Sequence, residues 1–396
     1  MQTGKLALST IIAAGLLLSA CSAAPAGKPQ AESVKPEAAK PAAEASKTGG
    51  SQEISPADFA KVYKELVAQL GKGADGKVDW DQAISLYNQV KPLVQKRDAE
   101  SNDQVNNQLE AAMKGGKDGT LNALVVAQLH DKLLQKVTFF SVRRDLKDAN
   151  DQFMNKEQAK AKIKEAKEFY NGVLKSMLEK RDKAYTTQLV TNVDSGFIAM
   201  EQAIDKGDNL AYNLGRQVVD KTIMKAFYLV SGAEKGYGYR IEQLVKEGSK
   251  NDLKVPQAEG WAFFQSLKAY LAGADQEAAD YINKQFDLSN DAKNIKGDPI
   301  NQAYVRAFAA TAKSEYKATF ESWGQDKSAI TAMEGALFID VIQGDLPKAL
   351  GAEKAKALAD NAQKLLNEVK AGNKEKAEQL YQSIEADLNQ LAKYGK

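Results

Sequence analysis

Residues 55–71 read SPADFAKVYKELVAQLG, and this stretch sets the pattern that most of the chain follows. Ser55 can cap a helix and Pro56 suits the first helical position. The apolar residues that follow recur every three or four positions, as on one face of a helix: Phe59, Val62, Tyr63, Leu66 and Leu70. Gly71 ends the segment. Nearly every later segment repeats this period without a run of alternating β-branched residues, so the sequence predicts an all-α fold.

Composition limits the chemistry that the chain can perform. Lys plus Arg number 54 and Asp plus Glu 52, a balance that argues against nucleic acid as a partner. The chain contains one cysteine, Cys21, and one histidine, His130, so zinc or copper sites built from these residue types are excluded within one chain. In the internal repeat described below, His130 is replaced by Val219 and Tyr304, which indicates a packing position. We therefore predict no enzyme activity and no cofactor.

The first twenty residues have the features of an export signal. An apolar run at residues 6–18 follows Lys5 and is too short to span a bilayer comfortably. It ends in Leu-Ser-Ala-Cys at residues 18–21, which resembles the bacterial lipobox. The resemblance implies cleavage before Cys21 and acylation, including palmitate, of a lipoprotein held at the extracytoplasmic face of the cell membrane. The alternative is an ordinary signal peptide with a chance cysteine.

After the signal, residues 21–51 are rich in Ala, Pro, Lys, Glu and Ser and predict a lipidated flexible linker. The rest of the chain resembles itself. LYNQV at 86–90 and KRD at 96–98 return as FYNGV at 169–173 and KRD at 180–182, with one residue inserted between them. QLHDKLLQK at 128–136 returns as QVVDKTIMK at 217–225, and residues 302–306 form a weaker third copy.

These correspondences predict a series of helical units. The predicted boundaries are an N-terminal helix and loop at 52–80, three repeats at 81–160, 161–254 and 255–330, and a partial fourth repeat with the C-terminal helices at 331–396. Units of this kind form either a helical repeat array or tandem helical bundles. The sequence does not separate the two arrangements.

A glutamate followed four residues later by a phenylalanine recurs in the second, third and fourth units. The pairs are Glu165 and Phe169, Glu259 and Phe263, and Glu334 and Phe338. This spacing places both side chains on one helix face, where the carboxylates could line a ligand groove or hold a cation. The alternative, which the pattern favours, places each glutamate in the first turn of a helix and each phenylalanine in the core.

A cation recurs on the second repeated helix, as Lys132, Lys221 and, in the third copy, Arg306. These lysines lie well away from the apolar stripe of the helix and could bind an anionic partner such as a cell-wall polymer or lipid headgroup. The spacing favours the simpler interpretation, a solvated face.

EGWAFF at residues 259–264 is similar to a pattern in extracytoplasmic helical modules that accompany bacterial high-affinity iron permeases. The resemblance implies an accessory role in metal uptake, with Glu165, Glu259 and Glu334 near the metal. Our leading prediction is a non-catalytic binding or scaffold lipoprotein that is anchored in the membrane. An envelope protein or a transporter could be its partner. Metal uptake is the alternative, and an enzyme of unknown type ranks last.

Overall fold

Helices form nearly all of the regular structure in residues 53–396, which are the residues that the computed structural model describes. No strand occurs among these residues, so the all-α prediction is confirmed. The predicted signal peptide, Cys21 and the predicted linker lie outside the described residues. Among the described helices, none is both long enough and apolar enough to span a membrane.

The first half of the described chain runs from α1 to α8, with a 3-10 turn after α1 and a π turn between α5 and α6. The bounds are α1 Pro56–Gly71, the 3-10 turn Lys72–Asp75, α2 Trp80–Ser101, α3 Val105–Lys117, α4 Ala123–Asp151, α5 Lys156–Phe169, the π turn Tyr170–Leu174, α6 Lys175–Tyr185, α7 Leu189–Lys206 and α8 Asn209–Ser231.

The second half runs from α9 to α17, with one further 3-10 turn before α13. The bounds are α9 Tyr237–Lys246, α10 Lys254–Gln265, α11 Lys268–Ala274, α12 Gln276–Phe286, the 3-10 turn Ala292–Asn294, α13 Gly297–Glu321, α14 Asp326–Val341, α15 Leu346–Leu350, α16 Ala352–Lys370 and α17 Lys374–Leu391.

Helix α1 begins and ends where its sequence predicts. The Ser55 side chain accepts a hydrogen bond from the backbone N–H of Asp58 at 3.1 Å, and Pro56 occupies the first helical position. The helix ends at Gly71, and its predicted apolar face is buried. A cap and an amphipathic stripe are local signals, which explains why the sequence locates this helix so closely.

Equivalent aspartates cap the starts of α3 and α7, in the first and second predicted repeats. Asp98 accepts hydrogen bonds from the first two backbone N–H groups of α3 at 3.0 and 2.8 Å. Asp182 does the same for α7 at 2.6 and 3.0 Å. The residue inserted in the second copy lies upstream of Asp182, where the helix widens into the π turn. A π turn accommodates one extra residue in a helix, so the later capping geometry is kept.

Helices α4, α8 and α13 lie at the centre of residues 54–396, which pack as one unit. Helix α8 contacts α4, α6, α7, α9, α10 and α14, while α4 contacts α1, α2, α3, α5, α8 and α10. Helix α13 contacts α9, α11, α12, α14 and α17. The central helices are therefore covered on several sides, so that some of their polar residues, among them Lys221 and Asp220, face other helices.

Candidate functional site

Lys221 is buried and Lys132 is largely covered, so the prediction of a solvated face is wrong. The side chain of Lys221 is 2% exposed and that of Lys132 is 14% exposed. The physical reason is the central position of α4 and α8, whose polar stripes meet neighbouring helices instead of water. A buried ammonium requires opposite charge, and carboxylates supply it here.

The repeated glutamates do not lie in first turns, so that prediction is also wrong. Helices α5, α10 and α14 each begin at least one turn before Glu165, Glu259 and Glu334 respectively. The start of α14 carries no side-chain cap, and that of α10 is capped by Asp252, seven residues before Glu259. The core placement of the partner aromatics is confirmed, because Phe169, Phe263 and Phe338 are all buried.

Two repeated lysines meet two repeated glutamates. Lys132 Nζ lies 3.9 Å from Glu259 Oε1, and Lys221 Nζ lies 3.0 Å from Glu334 Oε1. In both cases the ammonium also lies over the phenylalanine four residues after the glutamate, at 5.4 and 5.0 Å from the ring centroid. Each of these contacts therefore brings together three of the predicted residues, a lysine from α4 or α8 with a glutamate and a phenylalanine from α10 or α14.

The remaining predicted residues lie elsewhere. Glu165 pairs with Lys162 at 2.6 Å. Arg306 donates a hydrogen bond from Nη1 to the backbone carbonyl of Tyr394 at 2.7 Å. The three repeated glutamates therefore do not converge, and the described residues include no group of three or more His, Cys, Asp or Glu placed to hold a metal ion.

His130 is fully buried beside the ring of Tyr87, with centroids 5.7 Å apart. Its Nδ1 lies 2.9 Å from the carbonyl oxygen of Val126, which assigns the proton to this nitrogen. Burial lowers the pKa of His130 to about 4, so the ring is neutral at physiological pH. The structure therefore places His130 in the core, as its replacement in the other copies predicts.

A cavity of about 130 Å³ lies between α4, α8, α11 and α14, and we call it the Lys221 cavity. This volume exceeds the roughly 15 Å³ that admits one water, so a group of several heavy atoms fits. Its lining combines charged side chains with an apolar wall: Phe139, Val142, Arg143, Leu146, Arg216, Gln217, Val219, Asp220, Lys221, Tyr270 and Glu334.

Asp220 is the centre of the charge network in this cavity. Its carboxylate lies 3.0 Å from Arg143 Nε and 2.8 Å from Lys221 Nζ. Burial opposes ionisation of Asp220, but these two cations overcome it and hold the pKa of the carboxyl below its usual value. Burial likewise opposes the charge of Lys221, but Asp220 and Glu334 overcome it and raise its pKa. Asp220 and Lys221 are therefore both ionised at neutral pH.

Tyr270 closes one side of the network. The Arg143 guanidinium lies 4.7 Å from the centre of its ring and the Lys221 ammonium 5.3 Å. Cations over an aromatic face are attracted by the negative π surface. Tyr270 therefore holds two cations in the cavity while leaving their remaining N–H groups to other partners.

Arg216 is the cation of this cavity that makes no close ion pair, although its charge contributes to holding the pKa of Asp220 below the usual value. It forms no ion pair within 4 Å with a described residue, and its buried Nε has no hydrogen-bond partner there. Three cations and two carboxylates line the cavity, which leaves an excess of one positive charge. The motifs in the sequence did not single out Arg216. The available signal was a difference between the copies, because the first copy has Ala127 at the equivalent position.

Glu315 on α13 adds a group that titrates near neutral pH. Burial and the adjacent carboxylate of Glu334 raise the pKa of Glu315 to about 7, against the opposing charges of Lys221 and Lys327. Two carboxyl groups in contact share a proton more readily than they ionise together. The negative charge beside the cavity therefore increases as the pH rises through neutrality.

These features describe a candidate binding site with an excess positive charge, formed by α8 and α14 and closed by α4 and α11. Comparison of the chain with models of protein families, with curated proteins and with solved structures finds no match. The functional argument for this all-α chain accordingly rests on the geometry of the Lys221 cavity.

Proposed function

We propose that the chain is a non-catalytic, extracytoplasmic binding lipoprotein whose Lys221 cavity takes a small anionic group, a carboxylate or a phosphate. The observation that carries the proposal is Arg216, a guanidinium at a charged cavity with neither an ion pair nor a partner for its Nε. Arginine is well suited to carboxylate and phosphate because its planar fork donates two parallel hydrogen bonds.

The rest of the cavity supports this ligand class. Arg143 and Lys221 are fixed by Asp220 and by the Tyr270 ring, so they are preorganised before a ligand arrives. The apolar wall formed by Phe139 and its neighbours lowers the local dielectric, which strengthens charge interactions. The volume suits a small molecule, or the terminal group of a larger molecule such as a cell-wall polymer or lipid.

Calorimetric titration of the complete mature protein with inorganic phosphate and with acetate tests this site. We expect binding to weaken by about tenfold or more in Arg216→Gln, because a charged hydrogen bond contributes about 1.5–3 kcal/mol. Arg240→Gln, at an exposed arginine, is the matched control and should bind as the wild type does. The absence of heat with both anions, or an equal loss in the control, contradicts the proposal.

The same titration at pH 6 and pH 8 examines Glu315. Because protonation of Glu315 removes a negative charge near the cavity, acetate should bind more tightly at pH 6 in the wild type. Acetate keeps its charge over this range, since ordinary carboxyl groups titrate near pH 4. Glu315→Gln should bind equally at both pH values, and retention of the pH dependence in this variant would exclude Glu315 as its source.

The location is part of the same proposal and rests on the Leu-Ser-Ala-Cys motif at residues 18–21. Acylation of Cys21 would tether the helices to the outer face of the cell membrane, where an envelope protein or transporter is the expected partner. The Cys21→Ser variant should be absent from the membrane fraction and should not be labelled by palmitate. Unchanged fractionation and labelling would contradict the anchor without affecting the test of the cavity.

The accessory role in iron uptake stays a prediction that rests on the EGWAFF resemblance. The glutamates assigned to it are engaged with lysines in separate places, so the geometry gives this role no additional support.

A further inference from the structure

A second concave surface lies between α13 and α17, apart from the residues that line the Lys221 cavity. It is an open groove of about 860 Å³, and Phe320 and Tyr381 are its aromatic residues. Their ring centroids are 5.2 Å apart. Trp323 extends the cluster, because its ring stacks on Phe320 at 5.8 Å with an angle of only 6° between the planes. We call these three residues the aromatic platform.

The aromatic platform is partly exposed to solvent. Phe320, Trp323 and Tyr381 are each only half-buried, although aromatic residues in the interior of this protein are fully covered. Phe320 and Tyr381 line the groove with their ring planes inclined by 44°, whereas Trp323 packs on Phe320 and is not a lining residue. A partly exposed aromatic ring in a groove is suited to a ligand with an apolar face that can stack on it.

The charges around the groove neutralise one another. Lys313 pairs with Glu385 at 3.1 Å, and Lys317 pairs with Glu321 at 3.7 Å. Outside the groove, Lys374 pairs with the lining residue Glu378 at 3.7 Å. A polyanion would require an excess of free cations, which this rim does not offer. The rim nevertheless presents carboxylates, ammonium groups and the amide of Gln382 as hydrogen-bonding groups.

We propose that this groove binds a neutral polysaccharide strand, with one sugar ring stacked on Tyr381 of the aromatic platform. A pyranose ring presents axial C–H groups on one face, which suit the negative face of an aromatic ring. Its equatorial hydroxyls point outward, where the paired charges and Gln382 can donate and accept hydrogen bonds. This function goes beyond the anion site and depends on different residues.

The composition of the groove disfavours an amphipathic helix as the occupant. A helix in a groove requires continuous apolar contacts at three- and four-residue spacing. Here Lys313, Ser314 and Lys317 lie on the α13 side and interrupt the apolar floor. The volume falls within the range of about 300–1,000 Å³ that is typical of sites for compact ligands, so it suits a few sugar rings.

Tryptophan fluorescence of the complete mature protein tests the proposal directly, because Trp323 belongs to the platform. Titration with chitotetraose and with cellotetraose should change the emission and saturate at millimolar or lower concentration. Tyr381→Ala should weaken binding by about tenfold, the effect expected when one stacking ring is removed. Tyr281→Ala, at another half-buried tyrosine that does not line the groove, is the matched control.

Thermal melting establishes that each variant is folded. If Tyr381→Ala does not fold, Gln382→Ala at the exposed rim provides the second variant and should also weaken binding. No fluorescence change with either sugar overturns the proposal, as does unchanged affinity in the folded groove variants. Tighter binding of heparin or of an apolar helical peptide than of both sugars would also overturn it. Failure here leaves the Arg216 test unaffected.

Discussion

Replacing Lys221 by methionine should lower the free energy of unfolding by about 3–5 kcal/mol. The side chain of Lys221 is 2% exposed, and its ammonium lies 2.8 Å from Asp220 and 3.0 Å from Glu334. Methionine fills similar space but supplies no charge. Asp220 retains Arg143, whereas Glu334 is left beside Glu315 without its counter-ion. Urea unfolding followed by circular dichroism measures this loss.

The double variant Lys221→Met/Glu334→Gln separates charge from packing. Because it removes both members of the pair, it should be more stable than Lys221→Met alone. Lys147→Met is the control, since this exposed lysine pairs with Asp151 on the surface and should contribute less than about 1 kcal/mol. If Lys221→Met loses no more than Lys147→Met does, the buried pair does not hold α8 against α14.

Phe338→Ala should also destabilise the protein by about 3–5 kcal/mol, the usual loss for a buried phenylalanine. Its side chain is fully buried, and its ring centroid lies 6.2 Å from that of Phe308 and 6.5 Å from that of Tyr270. The Lys221 ammonium lies over the same ring. Truncation therefore leaves a cavity and removes a favourable contact of a buried cation.

Thermal and urea unfolding of Phe338→Leu and Ile198→Ala complete this experiment. Leucine refills most of the space, so Phe338→Leu should lose less than Phe338→Ala does. Ile198 is 52% exposed, and its truncation should change stability by about 0.5 kcal/mol or less. Unchanged stability in Phe338→Ala would contradict this prediction.

The charge network around Lys221 has a bearing on function as well as stability. Replacing a complete buried ion pair by apolar residues is often neutral or stabilising. Stability alone therefore does not explain why charged residues occupy the contact between α8 and α14. The guanidinium of Arg216, which makes no close ion pair and has no partner for its Nε, is explained still less by stability, which is why we assign it to a ligand.

Local sequence features determined the helices and much of their repetition. Ser55 and Gly71 located α1 because capping and chain termination act within a few residues. The match between the segments ending at Asp98 and Asp182 corresponds to equivalent caps in the structure. The inserted residue between their motifs was visible in the sequence, whereas its accommodation as a π turn required the backbone.

Tertiary packing decided which of the repeated residues meet. Lys221 and Glu334 are far apart in sequence, and nothing local indicates that α8 packs against α14. The same packing buried lysines whose spacing favoured a solvated face, and it brought Arg143 and Tyr270 to the cavity without any shared motif. Helical periodicity specifies the faces of a helix, but burial depends on how many neighbours cover it, and that is a property of the assembled chain.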